Sequence, residues 1–278
     1  MNIDLSSEAT EFGRMALRAV ESAGGDELVR AAEREPDRRE ELVGPVLAEL
    51  GAWELDPRGS VDELEAAAAL CRSAGWWALA YPVAERLCRP ADLDVDGLVV
   101  VADVAPAGPV AHLGHLRWAA LTLDGRRHLA TPRPPAAEPR KSAFVTRLDL
   151  SPVGAPAGPS ANGLAGQAGA LPAAERDLAL GLVLPCWTLL GMLDRAMALT
   201  RAYVLEREQF GQPLARFQGV QFQLTDAEVE RAGLEELAKY ALWSIEAGLP
   251  EAVDDALALR LAAVEAAETV FRVTHQLH

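Results

Sequence analysis

Few side chains in this sequence are of the types that do chemistry, and fewer are spaced for it. Histidine occurs only at His112, His115, His128, His275 and His278. A carboxylate-bridged di-iron centre in a helical bundle needs Glu-x-x-His on two helices, and that spacing is absent. So are the Gly-x-Ser-x-Gly elbow of a serine hydrolase, the phosphate loop of a nucleotide triphosphatase and the Gly-x-Gly-x-x-Gly dinucleotide fingerprint. Cys71, Cys88 and Cys186 lie far apart with no Cys-x-x-Cys or Cys-x-x-x-His spacing. They read as small buried hydrophobes in a reducing compartment, not as a disulfide framework or a zinc site. What remains is carboxylates and arginines, among which spacing alone singles out no constellation. A carboxylate can serve as a general base, and a cation is favourable at a helix end.

Three regions must position these groups. From Leu5 to about Leu87 the pattern is helical. Phe12, Met15, Ala16 and Ala19 fall at helical spacing, and Ser60 with Glu63 forms a capping box before an Ala-rich helix through Cys71. Between about Asp92 and Leu150 the period shifts towards strands, with runs at Leu98–Val101, Ala119–Leu123 and Phe144–Leu150 and a hairpin turn at Asp124-Gly125. Pro152 to Pro172 has no periodicity and reads as a linker or loose loop. From Ala173 onward the helical signal is strong. One stripe runs Leu178, Leu182, Cys186, Leu189, Met192, Ala196, Leu199 and Tyr203, and Gly211 and Pro213 stop that helix. A second runs Phe217, Val220, Leu224, Ala227, Leu234, Ala238, Ala241 and Ile245; a third runs Val253, Leu257, Leu261, Val264, Ala267 and Phe271. Long helices with short loops are antiparallel neighbours, so this region is a bundle. The sequence stops at His278 while still helical, so the expectation is three bundle helices with a fourth absent.

The expected domains are therefore a helical one over 1–90, a reduced β one over 91–150, a linker over 151–172 and a bundle over 173–278. The fold class is mainly α with a small β middle. Composition agrees: half of the 278 residues are hydrophobic but only 5% are aromatic. Twenty-six basic against 41 acidic residues give a formal charge of −15, which repels nucleic acid and anionic lipid surfaces. Met1 to Ser7 is polar and acidic, and no unbroken run of about 20 apolar residues occurs, so a soluble, cytoplasmic protein is expected.

One string carries more. Arg207-Glu208-Gln209-Phe210-Gly211-Gln212-Pro213-Leu214, followed by Phe217-Gln218-Gly219-Val220-Gln221 and Leu224, resembles the acyl-CoA dehydrogenase family. There the Arg-x-x-Phe-Gly and the following Phe-Gln lie at the turn between the first two helices of the C-terminal bundle. The Arg207 guanidinium can bind a pyrophosphate by paired hydrogen bonds, Phe210 can pack on a flavin, and Gln218 offers amide donors and acceptors. Val273-Thr274-His275-Gln276 resembles the start of the family's Gln-x-x-Gly-Gly segment, whose glutamine reaches the adenine end of FAD across a dimer. The resemblance thus implies FAD as cofactor, an acyl-CoA as substrate, and Arg207, Phe210, Gln218 and Gln276 as cofactor-binding residues.

The sequence also departs from the family. These enzymes remove an α-proton with a carboxylate while the β-hydrogen passes as hydride to the flavin. In most members the base follows the third and fourth bundle helices; in another branch it sits near the start of the first, which here falls on Gly181. Glu175 and Asp177 lie one to two turns upstream and would need the helix to slip around Pro185. Trp118-Ala119-Ala120-Leu121 does not reproduce the family's Trp-x-x-Thr or Trp-x-x-Ser flavin strand, and the β region is short for a full barrel. The resemblance then points to the short, degenerate subunits of actinobacterial heterotetrameric dehydrogenases of steroid side-chain degradation. No catalytic residue is expected in this chain. A full-length partner subunit supplies the base, while this chain adds contacts to the partner's FAD. The alternatives are a self-sufficient homo-oligomer lacking its tail and a flavin-free scaffold.

Overall fold

The computed structural model describes residues 3–133, 144–153 and 171–278. Most of the proposed linker, residues 154–170, lies outside the described residues.

Five helices come first: α1 (Ser7–Ser22), α2 (Asp26–Arg34), α3 (Arg39–Glu49), α4 (Val61–Trp76) and the short α5 (Val83–Leu87). Ser6 caps α1 by accepting the Ala9 N–H at 3.2 Å. The buried face of α1 is Ala9, Gly13, Ala16 and Val20, whereas Met15 is exposed. Ser60 caps α4 through the Glu63 N–H at 3.2 Å, as the capping pattern requires.

The middle is one curled sheet of β1 (Gly97–Val101), β2 (Ala107–Gly108), β3 (Trp118–Thr122), β4 (Arg127–Pro132) and β5 (Thr146–Pro152), in the order β1-β3-β4-β5-β2. β1 and β3 run parallel; the other pairs are antiparallel. β3 is buried along its whole length. The sheet curls until its two end strands meet, and a Cβ on Gly108 would lie only 2.7 Å from Val99 Cγ1. β4 has no sequence counterpart above, because Arg127, His128 and Thr131 interrupt its apolar alternation.

The last region holds α6 (Ala173–Glu206), α7 (Gln218–Glu246) and α8 (Ala252–Leu277) running up, down and up. A two-strand hairpin, β6 (Glu208–Gln209) and β7 (Gln212–Pro213), joins the first two. Helix α6 is long and apolar enough to cross a membrane, but 72% of its most apolar window is buried inside the fold. It is the central core helix, crossing α4 backbone to backbone. A Cβ on Gly75 would fall 1.8 Å from the Thr188 carbonyl, and one on Gly191 would fall 1.9 Å from that of Arg72.

The burial of α8 corrects the sequence stripe. Its inward face is Ala252, Ala256, Leu259, Ala263, Ala266, Val270 and Val273. The larger Leu257, Leu261, Val264 and Phe271 point out, between 38% and 64% exposed. Alanines let α8 lie close to its neighbours, so the small residues take the interior. The same drift occurs late in α6, where Leu193, Met197, Thr200 and Val204 are buried and Leu199 is half exposed.

Candidate functional site

The corner between α6 and α7 is built around the Arg207 string. Arg207 ends α6, its N–H donating to the Tyr203 carbonyl at 2.8 Å, and its own carbonyl accepts the Leu214 N–H at 2.8 Å. Between these anchors the hairpin turns through Phe210 and Gly211, at φ +50° and +78°. Two consecutive left-handed residues are what a tight two-residue hairpin demands. Glycine adopts that conformation freely, but a bulky residue there costs roughly 1–2 kcal/mol. Among the described residues nothing offsets this through burial: the Phe210 side chain is 92% exposed, touching Phe217 edge-on at 6.3 Å.

Arg207 is likewise exposed and, among the described residues, makes no ion pair. Glu206 and Glu208 flank it in solvent. Gln218 is the exposed first residue of α7, whose start has no side-chain cap; the Val220 and Gln221 N–H groups donate to the Phe217 carbonyl, so among the described residues those of Gln218 and Gly219 remain open to an anion. Gln276 lies exposed near the end of α8, beside an open, largely apolar groove of about 950 Å³ bordered by Leu199, Thr200 and Phe271. Tyr203, one helical turn before Arg207, stacks on His278 at 4.6 Å. The bundle therefore places all four sequence-derived residues at one end, with Arg207, Phe210 and Gln218 in one corner and Gln276 across the groove.

The carboxylates are arranged differently. Asp177 is 3% exposed and clamped between two arginines. Arg58 reaches its Oδ1 at 2.6 Å and Arg127 its Oδ2 at 2.5 Å. That ties α6 to the segment before α4 and to β4, which occupies both oxygens. Glu175 is exposed on the first turn of α6. Helix α6 continues through Pro185, so no slip brings either carboxylate inward. Gly181 packs against β1, and a Cβ there would lie 2.5 Å from Val100 Cγ2, leaving little room for a longer side chain. Trp118 is a core residue: fully buried, it donates from Nε1 to the Leu113 carbonyl at 3.3 Å.

One titratable group escaped the sequence reading. Glu85, on α5, borders a cavity of about 340 Å³ shared with Gly181, and burial pushes its carboxyl up to about 7 despite its own backbone N–H and the charge of Arg260. Its only sequence signal was an acid beside Arg86 in the short helix Val83–Leu87. The cysteines are all buried, and burial pushes Cys71 well up, Cys88 to about 12 and Cys186 to about 11.

Residues 171–278 match the family model described as "Acyl-CoA dehydrogenase, C-terminal domain". Among curated proteins, an 88-residue stretch is 33% identical to acyl-CoA dehydrogenase FadE28 of Mycobacterium tuberculosis, covering 32% of this chain and 26% of that protein. The matched stretch thus spans only about a quarter of that relative. Among solved structures, the chain is similar to a variant of the steroid ACAD Tcur3481-Tcur3483, with a TM-score of 0.72 and 20% identity over 98% of this chain and 86% of that one. It is also similar to the ChsE4-ChsE5 complex of Mycobacterium tuberculosis, with a TM-score of 0.70 and 18% identity over 100% of this chain and 88% of that one.

Proposed function

We propose, from the premise that this chain belongs to the acyl-CoA dehydrogenase family by its domain at 171–278 and by its fold, that it is the subunit of an FAD-dependent dehydrogenase that supplies cofactor contacts without supplying the base. The observation that carries this reading is the α6–α7 corner. There a strained, 92% exposed Phe210 and an Arg207 that makes no ion pair among the described residues stand beside the uncapped start of α7. Such groups gain from a ligand or partner that covers them, and they fit FAD. Arg207 and the open N–H groups suit its pyrophosphate, Phe210 an aromatic face, and Gln218 and Gln276 its polar edges.

When bound, FAD accepts the β-hydrogen of the acyl group as hydride. The residues of this chain hold and orient it. The α-proton is taken by a carboxylate of a full-length partner, because Asp177 is held by Arg58 and Arg127 and Gly181 carries no acid. The likeness to a steroid ACAD and to a two-protein complex supports a heterotetramer acting on a steroid side-chain CoA ester. The division into domains over 1–90, 91–150 and 173–278 with a linker over 151–172, and a cytoplasmic location, complete the reading.

The test is cofactor content. Purified alone, the chain should be colourless; purified with its partner, the complex should carry one FAD per pair of unlike chains. A stoichiometric flavin spectrum from this chain alone would favour the self-sufficient homo-oligomer instead.

A further inference from the structure

Where α1 packs on α4 beside α6, a cleft of about 220 Å³ opens between Leu5, Gly13, Leu17, Ser73, Trp76 and Asp194. Asp194 lies thirteen residues from both Gly181 and Arg207 on α6, about 20 Å of helix each way. The cleft is therefore separate from the flavin corner and from the cavity beside Glu85. Gly13 helps to keep it open, since a Cβ there would lie 3.2 Å from Ala69 Cβ and 3.5 Å from Ser73 Oγ. Leu5, Leu17 and the half-buried Trp76 make its walls mainly apolar. Ser73 is the buried polar side chain among them, 5% exposed. Its single hydroxyl proton is shared between the Gly13 and Ala69 carbonyls, each at 2.9 Å, and among the described residues nothing donates to its oxygen. A hydroxyl oxygen carries two acceptor lone pairs, so an acceptor stands unused at this cleft. The charges at its edge are already matched. Arg72 donates to Asp194 and Glu235 at 2.7 Å each, Arg231 reaches the same two carboxylates at 3.0 and 2.9 Å, and Arg14 pairs with Glu11.

We propose that this cleft binds a small uncharged phenol, with its ring against Trp76 and its O–H donating to Ser73 Oγ. Size sets the first limit. An apolar cavity of about 150 Å³ holds benzene, so this one suits a single ring with its hydroxyl. Charge sets the second. An ammonium would meet Arg14 and Arg72, a carboxylate would meet Asp194, and either would compete with ion pairs that are already made. The indole favours an aromatic ring, which gains from stacked or edge-on contact beyond the area it buries. The unused Ser73 acceptor then asks for one donor, which a phenol supplies and a plain hydrocarbon does not. This site needs no flavin, CoA or partner subunit, and its test is independent of the dehydrogenase reading.

Calorimetric titration of the full chain at neutral pH with phenol, toluene, benzylamine and benzoate tests it. Phenol should bind at least tenfold more tightly than benzylamine or benzoate. It should also bind about three- to tenfold more tightly than toluene, a molecule of the same shape, which is the worth of one neutral hydrogen bond. Ser73→Ala should bring phenol down to the level of toluene and leave toluene unchanged. Gly13→Ala, which puts a methyl group into the cleft, should weaken both more than tenfold. The wild-type ranking stands even if a variant fails to fold. Phenol binding no tighter than toluene, or a preference for benzylamine or benzoate, would overturn the proposal. So would phenol binding that is unchanged in folded Ser73→Ala and Gly13→Ala variants, since the ligand would then sit elsewhere on the chain.

Discussion

Replacing Asp177 by Asn separates a structural role from a catalytic one. The aspartate is 3% exposed and takes hydrogen bonds from Arg58 Nε at 2.7 Å and Arg127 Nη2 at 2.5 Å. Breaking a buried ion pair costs about 3–5 kcal/mol, because the remaining charge loses its partner. Here both arginines keep other acceptors. Arg58 still reaches the Cys88 carbonyl at 2.8 Å and Arg127 still reaches Asp92 at 2.6 Å. Their side chains are also 16% and 21% exposed, so water relieves part of the loss. The lower end, about 3 kcal/mol, is the fitting magnitude. At about 2 °C per kcal/mol for a chain of this size, the melting temperature should drop by roughly 6 °C. Circular dichroism melting of the variant measures that drop, and flavin-linked turnover of the assembled complex at 25 °C measures catalysis. Turnover should stay within a few-fold of wild type, since loss of a true general base costs roughly 10²–10⁴-fold. An unchanged melting temperature with turnover down a hundredfold would refute the structural assignment and make Asp177 the base.

Arg207→Ala should weaken FAD retention by the complex more than tenfold in equilibrium dialysis, since a charge-assisted hydrogen bond contributes about 1.5–3 kcal/mol. Arg207→Lys should restore only part, and an alanine variant that keeps FAD normally would leave Arg207 a plain surface cation. For Glu235, burial opposes ionisation, but hydrogen bonds and charge from Arg72 and Arg231 prevail and hold its pKa at about 2. A depressed carboxylate stabilises the fold above its unfolded pKa and loses that contribution as pH falls through the folded one. Up to about 3 kcal/mol should thus vanish between roughly pH 5 and pH 2, and the stability gap between wild type and Glu235→Gln in urea titrations should close over that window. A gap independent of pH would show that the network linking α4, α6 and α7 holds by packing alone.

The mainly helical class, the helix starts and stops, and the Arg207 string were legible because they rest on local signals. Ser60 caps α4 from four residues of sequence, and Gly211 with Pro213 marks the turn that follows α6. Helix orientation was not local. The stripe of large residues on α8 looked like its core face, yet the alanines went inside, because close approach of two helices rewards small side chains and periodicity weighs only hydrophobicity. Likewise, the family resemblance put Asp177 one to two turns from the place of a base, but only the fold could bring it to Arg58, 119 residues away, and to Arg127. Glu85 lay beside Arg86 like an ordinary helix-surface charge, and only the packing of α6 and α8 gave it a cavity. The sequence by itself determined which residues make helices, turns and charges. The tertiary structure decided which carboxylates are neutralised by a partner and which face a cavity, because those fates depend on contacts between segments far apart in the chain.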